Sequence, residues 1–135
     1  MKKVVFICLC SLLCLCGCNT NQSDNLKSSN KEQLKMAIIE NLNKIMEVSD
    51  LTSSNPYDYT KNVYYNNIVD LGDKAAFVLE NMCKNGELNG ISAFLSALAI
   101  QDITKCNLYE EYNLDWSTAE KFYLLWEENN CSFDN

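Results

Sequence analysis

The stretch NGISAFLSALAIQDIT, residues 89–104, decides the predicted fold. Its apolar residues recur at intervals of three and four, which places them on one face of a helix. Smaller apolar residues widen this face. We therefore predict that this helix, which begins at Asn89 or Gly90, is the most buried helix of the chain. The face consists of Ile91, Phe94, Leu95, Leu98, Ala99 and Ile103, widened by Ala93, Ala97 and Ile100.

Three more helices are predicted before this segment. The first begins near Ser29, because Ser29 and Glu32 form a capping box, and it ends near Ser49. A loop with the turn signal Asn55-Pro56 follows it. The second and third helices span 59–71 and 74–85, with Asp58 capping the second and Gly72 and Gly86 ending the two. The predicted inward residues are Leu34, Ile38, Leu42 and Ile45 in the first helix and Val63, Ile68 and Leu71 in the second. The apolar residues of the third helix are Ala76, Phe77, Val78, Leu79 and Met82.

One further helix is predicted near the carboxyl end. Residues 105–116 are interpreted as a connection, after which Ser117 and Glu120 form a second capping box and open a helix that runs to Asn129. No segment alternates between polar and apolar residues as a half-buried strand does. The sequence therefore predicts an all-α fold of about five helices in a small antiparallel bundle.

The composition limits the classes of function. The chain has 135 residues, of which 47% are hydrophobic, so we expect at most one domain with a packed core. Its net charge is −7, and it contains Lys but no Arg and no His. A nucleic-acid partner is not expected, since phosphate contacts need a basic surface. Without His, the chain also lacks the usual residue for metal binding and general-base chemistry near neutral pH.

The first eighteen residues have the pattern of an export signal. Lys2 and Lys3 precede a run of apolar residues and cysteines from Val4 to Leu15. This run is too short to cross the hydrocarbon layer of a bilayer, about 30 Å thick, as a helix. The five cysteines in this part of the chain are Cys8, Cys10, Cys14, Cys16 and Cys18, and only Cys18 follows a residue as small as Gly17.

The sequence Leu15-Cys16-Gly17-Cys18 resembles the lipobox of bacterial lipoproteins. This resemblance implies that a signal peptidase recognises Leu15, Cys16 and Gly17, and that Cys18 carries a diacylglyceryl lipid. Two acyl chains give a stable anchor, so the protein is expected at the cell membrane, facing outside the cytoplasm. An uncleaved signal anchor is the alternative. The chain as a whole resembles small uncharacterised lipoproteins of low-GC Gram-positive bacteria.

The lipoprotein interpretation divides the chain into three parts. Residues 1–17 are the expected signal peptide, 18–29 the lipidated cysteine with a flexible polar tether, and 30–135 the helical domain. Loss of Lys2 and Lys3 leaves nine Lys against eighteen Asp and Glu, a net charge of −9. Anionic lipid head groups would repel such a domain, so we expect it to stand away from the bilayer.

A second resemblance concerns the middle of the chain. The pattern Ile68-Val69-x-Leu71-Gly72-x-x-Ala75, followed by another apolar helix, resembles a HEAT-like helical hairpin over about residues 57–104. Only one such unit is visible, whereas repeat folds usually need about three. An ordinary bundle and a HEAT-like hairpin array both remain open at this point.

The expected domain contains three cysteines, Cys83, Cys106 and Cys131. In an exported protein, cysteines can form disulfides. If the last three helices run up, down and up, Cys83 and Cys131 lie at one pole and Cys106 at the other. We therefore predict that Cys83 and Cys131 are close or bridged. The alternative is three reduced thiols that behave as small apolar residues.

Two aromatic clusters are candidate binding surfaces. The stretch NPYDYTKNVYY, residues 55–65, supplies Tyr57, Tyr59, Tyr64 and Tyr65, whose rings offer an apolar face and a polar tip to a sugar or a peptide. The alternative is a helix start whose rings pack over the loop. The second cluster, on the last helix, is expected in the core, and an exposed aromatic edge there would indicate a partner groove. This cluster is Trp116, Phe122, Tyr123 and Trp126.

The leading functional interpretation is a binding module for a protein or peptide partner at the cell envelope. An envelope hydrolase is the alternative and would need a cleft that gathers carboxylates with a tyrosine, for example Asp58, Tyr59 and Asp115. An immunity-type lipoprotein that captures a toxin is a third possibility. No catalytic residue, metal ligand or cofactor site is predicted, because calcium-loop, zinc-ligand, phosphate-loop and nucleophile-elbow patterns are absent from the sequence.

Overall fold

The fold is all-α, as predicted. The computed structural model describes residues 21–49, 53–129 and 131, and no strand occurs among them. The lipobox and Cys18 lie outside the described residues. The elements are α1 (Asn21–Val48), a 3-10 helix (Pro56–Thr60), α2 (Val63–Asp70), α3 (Asp73–Lys84), α4 (Gly90–Thr104), α5 (Leu108–Tyr112) and α6 (Ala119–Glu128).

Helix α4 is the central element of the core. Every residue from Leu95 to Ile100 is buried, so α4 is enclosed on all sides and not only along one face. Helix α3 forms a hairpin with α4 through a short turn, and α2 and α6 also pack against α4. The prediction that this segment is the most buried helix is confirmed.

Helix α1 begins eight residues before the predicted start, at Asn21 instead of Ser29. No Gly or Pro interrupts residues 19–48, so nothing in the backbone stops the helix at Ser29. The predicted flexible tether is therefore helical from Asn21 onward, and the predicted capping box lies inside α1. Residues 28–33 are exposed, and the buried face comes later, with Ile38, Leu42 and Ile45 in the core as predicted.

The predicted second helix, 59–71, is divided in two. The 3-10 helix ends at Thr60, and Asn62 then adopts an extended conformation and caps α2 by accepting a hydrogen bond from the Tyr65 backbone N–H at 3.0 Å. This restart turns the helix so that Tyr65 and Ile68 are buried, whereas Val63, predicted inward, is 60% exposed. Asp58 belongs to the 3-10 helix and caps nothing in α2.

Helix α3 lies where it was predicted, within one residue at each end. Gly72 precedes it with φ of +70° and ψ of −160°, a backbone conformation that is essentially restricted to glycine, and so forms the sharp turn from α2. Phe77, one of the apolar residues of this helix, is 40% exposed and lies under the Lys31 ammonium group, 5.6 Å from the ring centre.

The segment predicted as a plain connection contains α5. Both α4 and α5 end in a residue with positive φ, Lys105 and Asn113. These two turns reverse the direction of the chain after α4. Trp116, just before α6, contacts Phe94 near the start of α4. Cys131, just after α6, contacts Cys106 just after the end of α4. Helix α6 therefore runs in the same direction as α4, not antiparallel to it.

Candidate functional site

A cleft of about 740 Å³ lies between the 3-10 helix, the second half of α4 and the α5 segment. We call it the α4–α5 cleft. It combines aromatic rings with carboxylates and amides, which is the kind of lining that binds a ligand through both apolar contact and polar contact. Its lining residues are Tyr57, Thr60, Tyr65, Leu98, Gln101, Asp102, Lys105, Asn107, Tyr109, Glu110, Asp115 and Trp116.

The aromatic side of the cleft is held from the core outward. The Trp126 and Phe122 rings are buried on α6, and the Phe122 ring contacts Trp116, with ring centres 4.9 Å apart. Trp116 in turn contacts Phe94 at 4.8 Å, and Tyr57 meets Phe94 edge-on at 6.4 Å. These contacts fix the positions of Trp116 and Tyr57 before any ligand binds, which lowers the entropic cost of binding.

The opposite side of the cleft is α5. Asn107 caps this short helix by accepting hydrogen bonds from the backbone N–H groups of Tyr109 and Glu110 at 3.0 and 3.3 Å. Leu108 is completely buried, and its N–H donates to Gln101 Oε1 of α4 at 3.0 Å. Because the cap and this bond secure the first turn, Tyr109 and Glu110 are directed along the cleft.

Tyr65 joins the cleft to the core. Its ring is 3% exposed, and its hydroxyl group donates to Asp102 Oδ2 at 2.7 Å. Burial raises the pKa of Tyr65 above its ordinary range, and the adjacent Asp102 carboxylate raises it further, so the phenol stays protonated and continues to donate. Asp102 is thereby held in place at the cleft.

The cleft is acidic. Three carboxylates line it, on Asp102, Glu110 and Asp115, and the ammonium group of Lys105 is the only cation among the lining residues. Its polar surface therefore favours a positively charged ligand group. Tyr57, Tyr109 and Trp116 supply ring faces that also attract cations.

The predicted tyrosine platform is only partly assembled. Tyr57 and Tyr65 line the α4–α5 cleft. Tyr59 belongs to the core, where it is buried, and the Tyr64 ring lies under the Lys44 ammonium group at 5.5 Å. The second cluster divides in a similar way, since Phe122, Tyr123 and Trp126 are buried and Trp116 reaches the cleft.

The residues suggested for a hydrolase are not brought together. Asp115 borders the α4–α5 cleft, whereas Asp58 borders a smaller depression and Tyr59 is buried. The Asp58 carboxylate accepts hydrogen bonds from Lys61 Nζ and Ser53 Oγ, both at 2.7 Å. These two contacts lower the pKa of Asp58, so it is ionised near neutral pH and has no proton to donate as a general acid.

The cysteines pair differently from the prediction. Cys131 Sγ lies 3.6 Å from Cys106 Sγ, and not against Cys83. Cys83 Sγ instead lies 2.9 Å from Ser96 Oγ, which is also 2.8 Å from the Tyr123 hydroxyl oxygen in the core. The prediction was wrong about the neighbour of Cys131 because it assumed that α4 and α6 are antiparallel.

The described residues contain neither a metal-binding cluster nor a membrane-spanning helix. No group of three or more His, Cys, Asp or Glu side chains is placed to hold a metal ion in this part of the chain. No helix within 21–49 or 53–129 is both long enough and apolar enough to cross a membrane.

The chain was compared with protein-family models, with curated proteins and with solved structures, and none of them matches it.

Sequence reasoning missed the α5 side of the cleft. The segment 105–116, predicted as a connection, contains a helix-start signal, because Glu110 follows Asn107 by three residues. Gln101, Asp102 and Lys105 had no signal of their own, because their role depends on where the chain turns after α4.

Proposed function

We propose that this protein is a lipid-anchored binding module of the cell envelope, and that its α4–α5 cleft takes a basic side chain from a protein or peptide partner. The observation that carries the proposal is the combination, in one cleft, of three carboxylates with the aromatic rings of Tyr57, Tyr109 and Trp116. A Lys or Arg side chain fits this combination, since its apolar stem covers a ring and its charged end meets the carboxylates.

The anchoring part of the proposal is supported by the sequence. Leu15-Cys16-Gly17-Cys18 lies at the end of a short apolar run that two Lys residues precede, and Cys18 is the cysteine that fits the lipobox. The high net negative charge supports a partner with a basic surface, because opposite charges accelerate the encounter of two proteins.

The binding test uses the fluorescence of Trp116. The full chain in detergent is titrated with tetralysine, and with tetraglutamate as the charge-reversed probe. We expect tetralysine to change the emission, and the change to disappear in Trp116→Phe, because the other tryptophan, Trp126, is 1% exposed. Raising the salt concentration should weaken the binding by screening the exposed charges.

The control for charge is a matched pair of variants. Asp115→Asn should weaken tetralysine binding roughly two- to fivefold, since a solvent-exposed ion pair contributes about 0.5–1 kcal/mol. Asp70→Asn removes the same charge from an exposed position outside the cleft and should leave binding unchanged. An equal response to tetraglutamate, or equal effects of the two variants, would contradict the proposal.

The anchor is tested by Cys18→Ser and by cell fractionation. We expect the wild-type chain in the membrane fraction, with palmitate incorporated, and the variant without the label and released from the membrane. Cys16→Ser, which keeps Cys18 and a small residue before Gly17, is the matched control and should remain anchored. A Cys18→Ser protein that stays in the membrane fraction would favour the uncleaved signal anchor.

A further inference from the structure

We propose that Cys106 and Cys131 are a disulfide-forming pair that joins the start of α5 to the segment after α6. Their sulfur atoms are 3.6 Å apart, whereas a disulfide bond is about 2.05 Å long. Forming the bond therefore requires the two sulfurs to approach by roughly 1.5 Å, a distance within reach of side-chain rotation.

Backbone contacts hold both cysteines in this arrangement. The Cys131 N–H donates to the Trp126 carbonyl at 3.1 Å, which turns the chain back after α6. The Cys106 N–H donates to Thr104 Oγ1 at 3.4 Å, just past the end of α4. The Cys131 sulfur also hydrogen-bonds the Asn129 carbonyl oxygen at 3.7 Å.

Cys83 does not compete for either partner. Its sulfur lies against Ser96 in the core, and burial raises the pKa of the Cys83 thiol, which keeps it protonated. The three cysteines of the described part of the chain are therefore one pair and one half-buried thiol.

The reaction is a thiol–disulfide exchange, and its oxidant is a small disulfide such as glutathione disulfide. One cysteine thiolate attacks a glutathione sulfur and releases one glutathione thiolate, which leaves a mixed disulfide. The second cysteine loses its proton, attacks the protein-bound sulfur and releases the second glutathione. The two cysteines lose two protons and two electrons in total, and glutathione disulfide is reduced to two thiols.

Burial raises the pKa of Cys106 to about 12, with further contributions from the adjacent Cys131 sulfur and Glu111. Only the thiolate is a nucleophile, so Cys106 must lose its proton before it can attack.

The bond would fix one side of the α4–α5 cleft. Asn107, which follows Cys106 directly, caps α5, and Tyr109 and Glu110 line the cleft. A disulfide at Cys106 would therefore restrain the helix that carries these residues. Oxidation of the pair in the cell depends on the export that the proposed function assumes. The exchange reaction of the purified protein does not depend on export.

The test is a peptide map of the full chain in detergent after equilibration with glutathione and glutathione disulfide. Trypsin places each cysteine of the described region in its own peptide: Cys83 in 75–84, Cys106 in 106–121 and Cys131 in 122–135. We expect peptides 106–121 and 122–135 to be linked and 75–84 to carry the alkylating label. Oxidation should also raise the melting temperature by about 10 °C, because it closes a loop in the unfolded chain.

Three variants complete the test. Cys83→Ser should retain the linked peptides and the increase in melting temperature, whereas Cys106→Ser and Cys131→Ser should lose both. A link to Cys83, or three alkylated peptides from a chain that circular dichroism shows to be helical, would overturn the proposal. A pair that is linked in the purified protein but reduced in intact cells would support the site and contradict the proposed export.

Discussion

Tyr65 belongs to both the core and the cleft, because its ring is buried while its hydroxyl group reaches Asp102. Its sequence neighbours do not share this role: Tyr64 lies under Lys44, and Tyr59 is buried with no part in the cleft lining. The sequence showed four tyrosines close together but could not show which of them would turn inward. That depends on where α2 restarts, and Asn62 determines the restart by capping it.

We predict that Tyr65→Phe lowers the free energy of unfolding by about 1–2 kcal/mol, since it removes a hydrogen bond to a carboxylate and leaves the ring in place. Urea denaturation at neutral pH measures this difference. Tyr109→Phe, at a residue that is 62% exposed, is the matched control and should change stability by less than about 0.5 kcal/mol. Equal effects at the two positions would contradict the role given to Tyr65.

The same variant has a predictable pH dependence. The pKa of Tyr65 is raised in the folded state above its ordinary value of 10.0, so above about pH 10 the unfolded chain loses a proton that the folded protein keeps. Wild-type stability should therefore fall more steeply than that of Tyr65→Phe as the pH rises above 10. The stability difference between the two proteins should shrink there, and a constant difference would contradict the argument.

At the scale of elements, helix starts decide which side chains line the cleft. The sequence contains two adjacent hydroxyl residues before α6, and the capping-box pattern selected Ser117. In the structure, Thr118 is the capping residue of α6. Its backbone is extended, and its Oγ1 accepts a hydrogen bond from the Lys121 N–H at 3.2 Å. A difference of one residue turns a helix by about 100°, so the cap determines whether Phe122 and Trp126 reach the core.

Thr118→Ala should therefore destabilise the protein by about 1 kcal/mol, the usual effect of removing a capping side chain. Ser117→Ala is the matched control, since Ser117 is exposed and lies outside the cap, and it should change stability only slightly. Thermal or urea unfolding distinguishes the two. A larger loss of stability in Ser117→Ala than in Thr118→Ala would support the capping box predicted from the sequence and contradict the observed start of α6.

At the scale of the whole molecule, the sequence predicted what depends on local pattern. The all-α class, the buried central helix and the inward face of α1 followed from the spacing of apolar residues. The direction of α6 did not, because it depends on positive φ angles at Lys105 and Asn113, residues that adopt this conformation far less readily than glycine. The cysteine pairing and the α4–α5 cleft both depend on that direction, so neither could be predicted.

The cleft is also a property of the whole molecule. Tyr57 comes from the 3-10 helix, Asp102 from α4, Glu110 from α5 and Trp116 from the segment before α6. No short segment of the sequence contains all four, and the aromatic contacts from Trp126 to Tyr57 hold two of them, Trp116 and Tyr57. The proposed binding function therefore depends on the assembled cleft and not on a motif.

The most direct test of that function is site-specific crosslinking in intact cells. A photoreactive phenylalanine analogue replaces Tyr109, which lines the cleft, or Leu124, which is 49% exposed on α6 outside it. We expect a crosslink at position 109 but not at position 124, to a partner peptide that contains Lys or Arg, and a weaker crosslink when Asp115→Asn is added. The same partner captured equally at both positions, or a crosslinked peptide without a basic residue, would contradict the account.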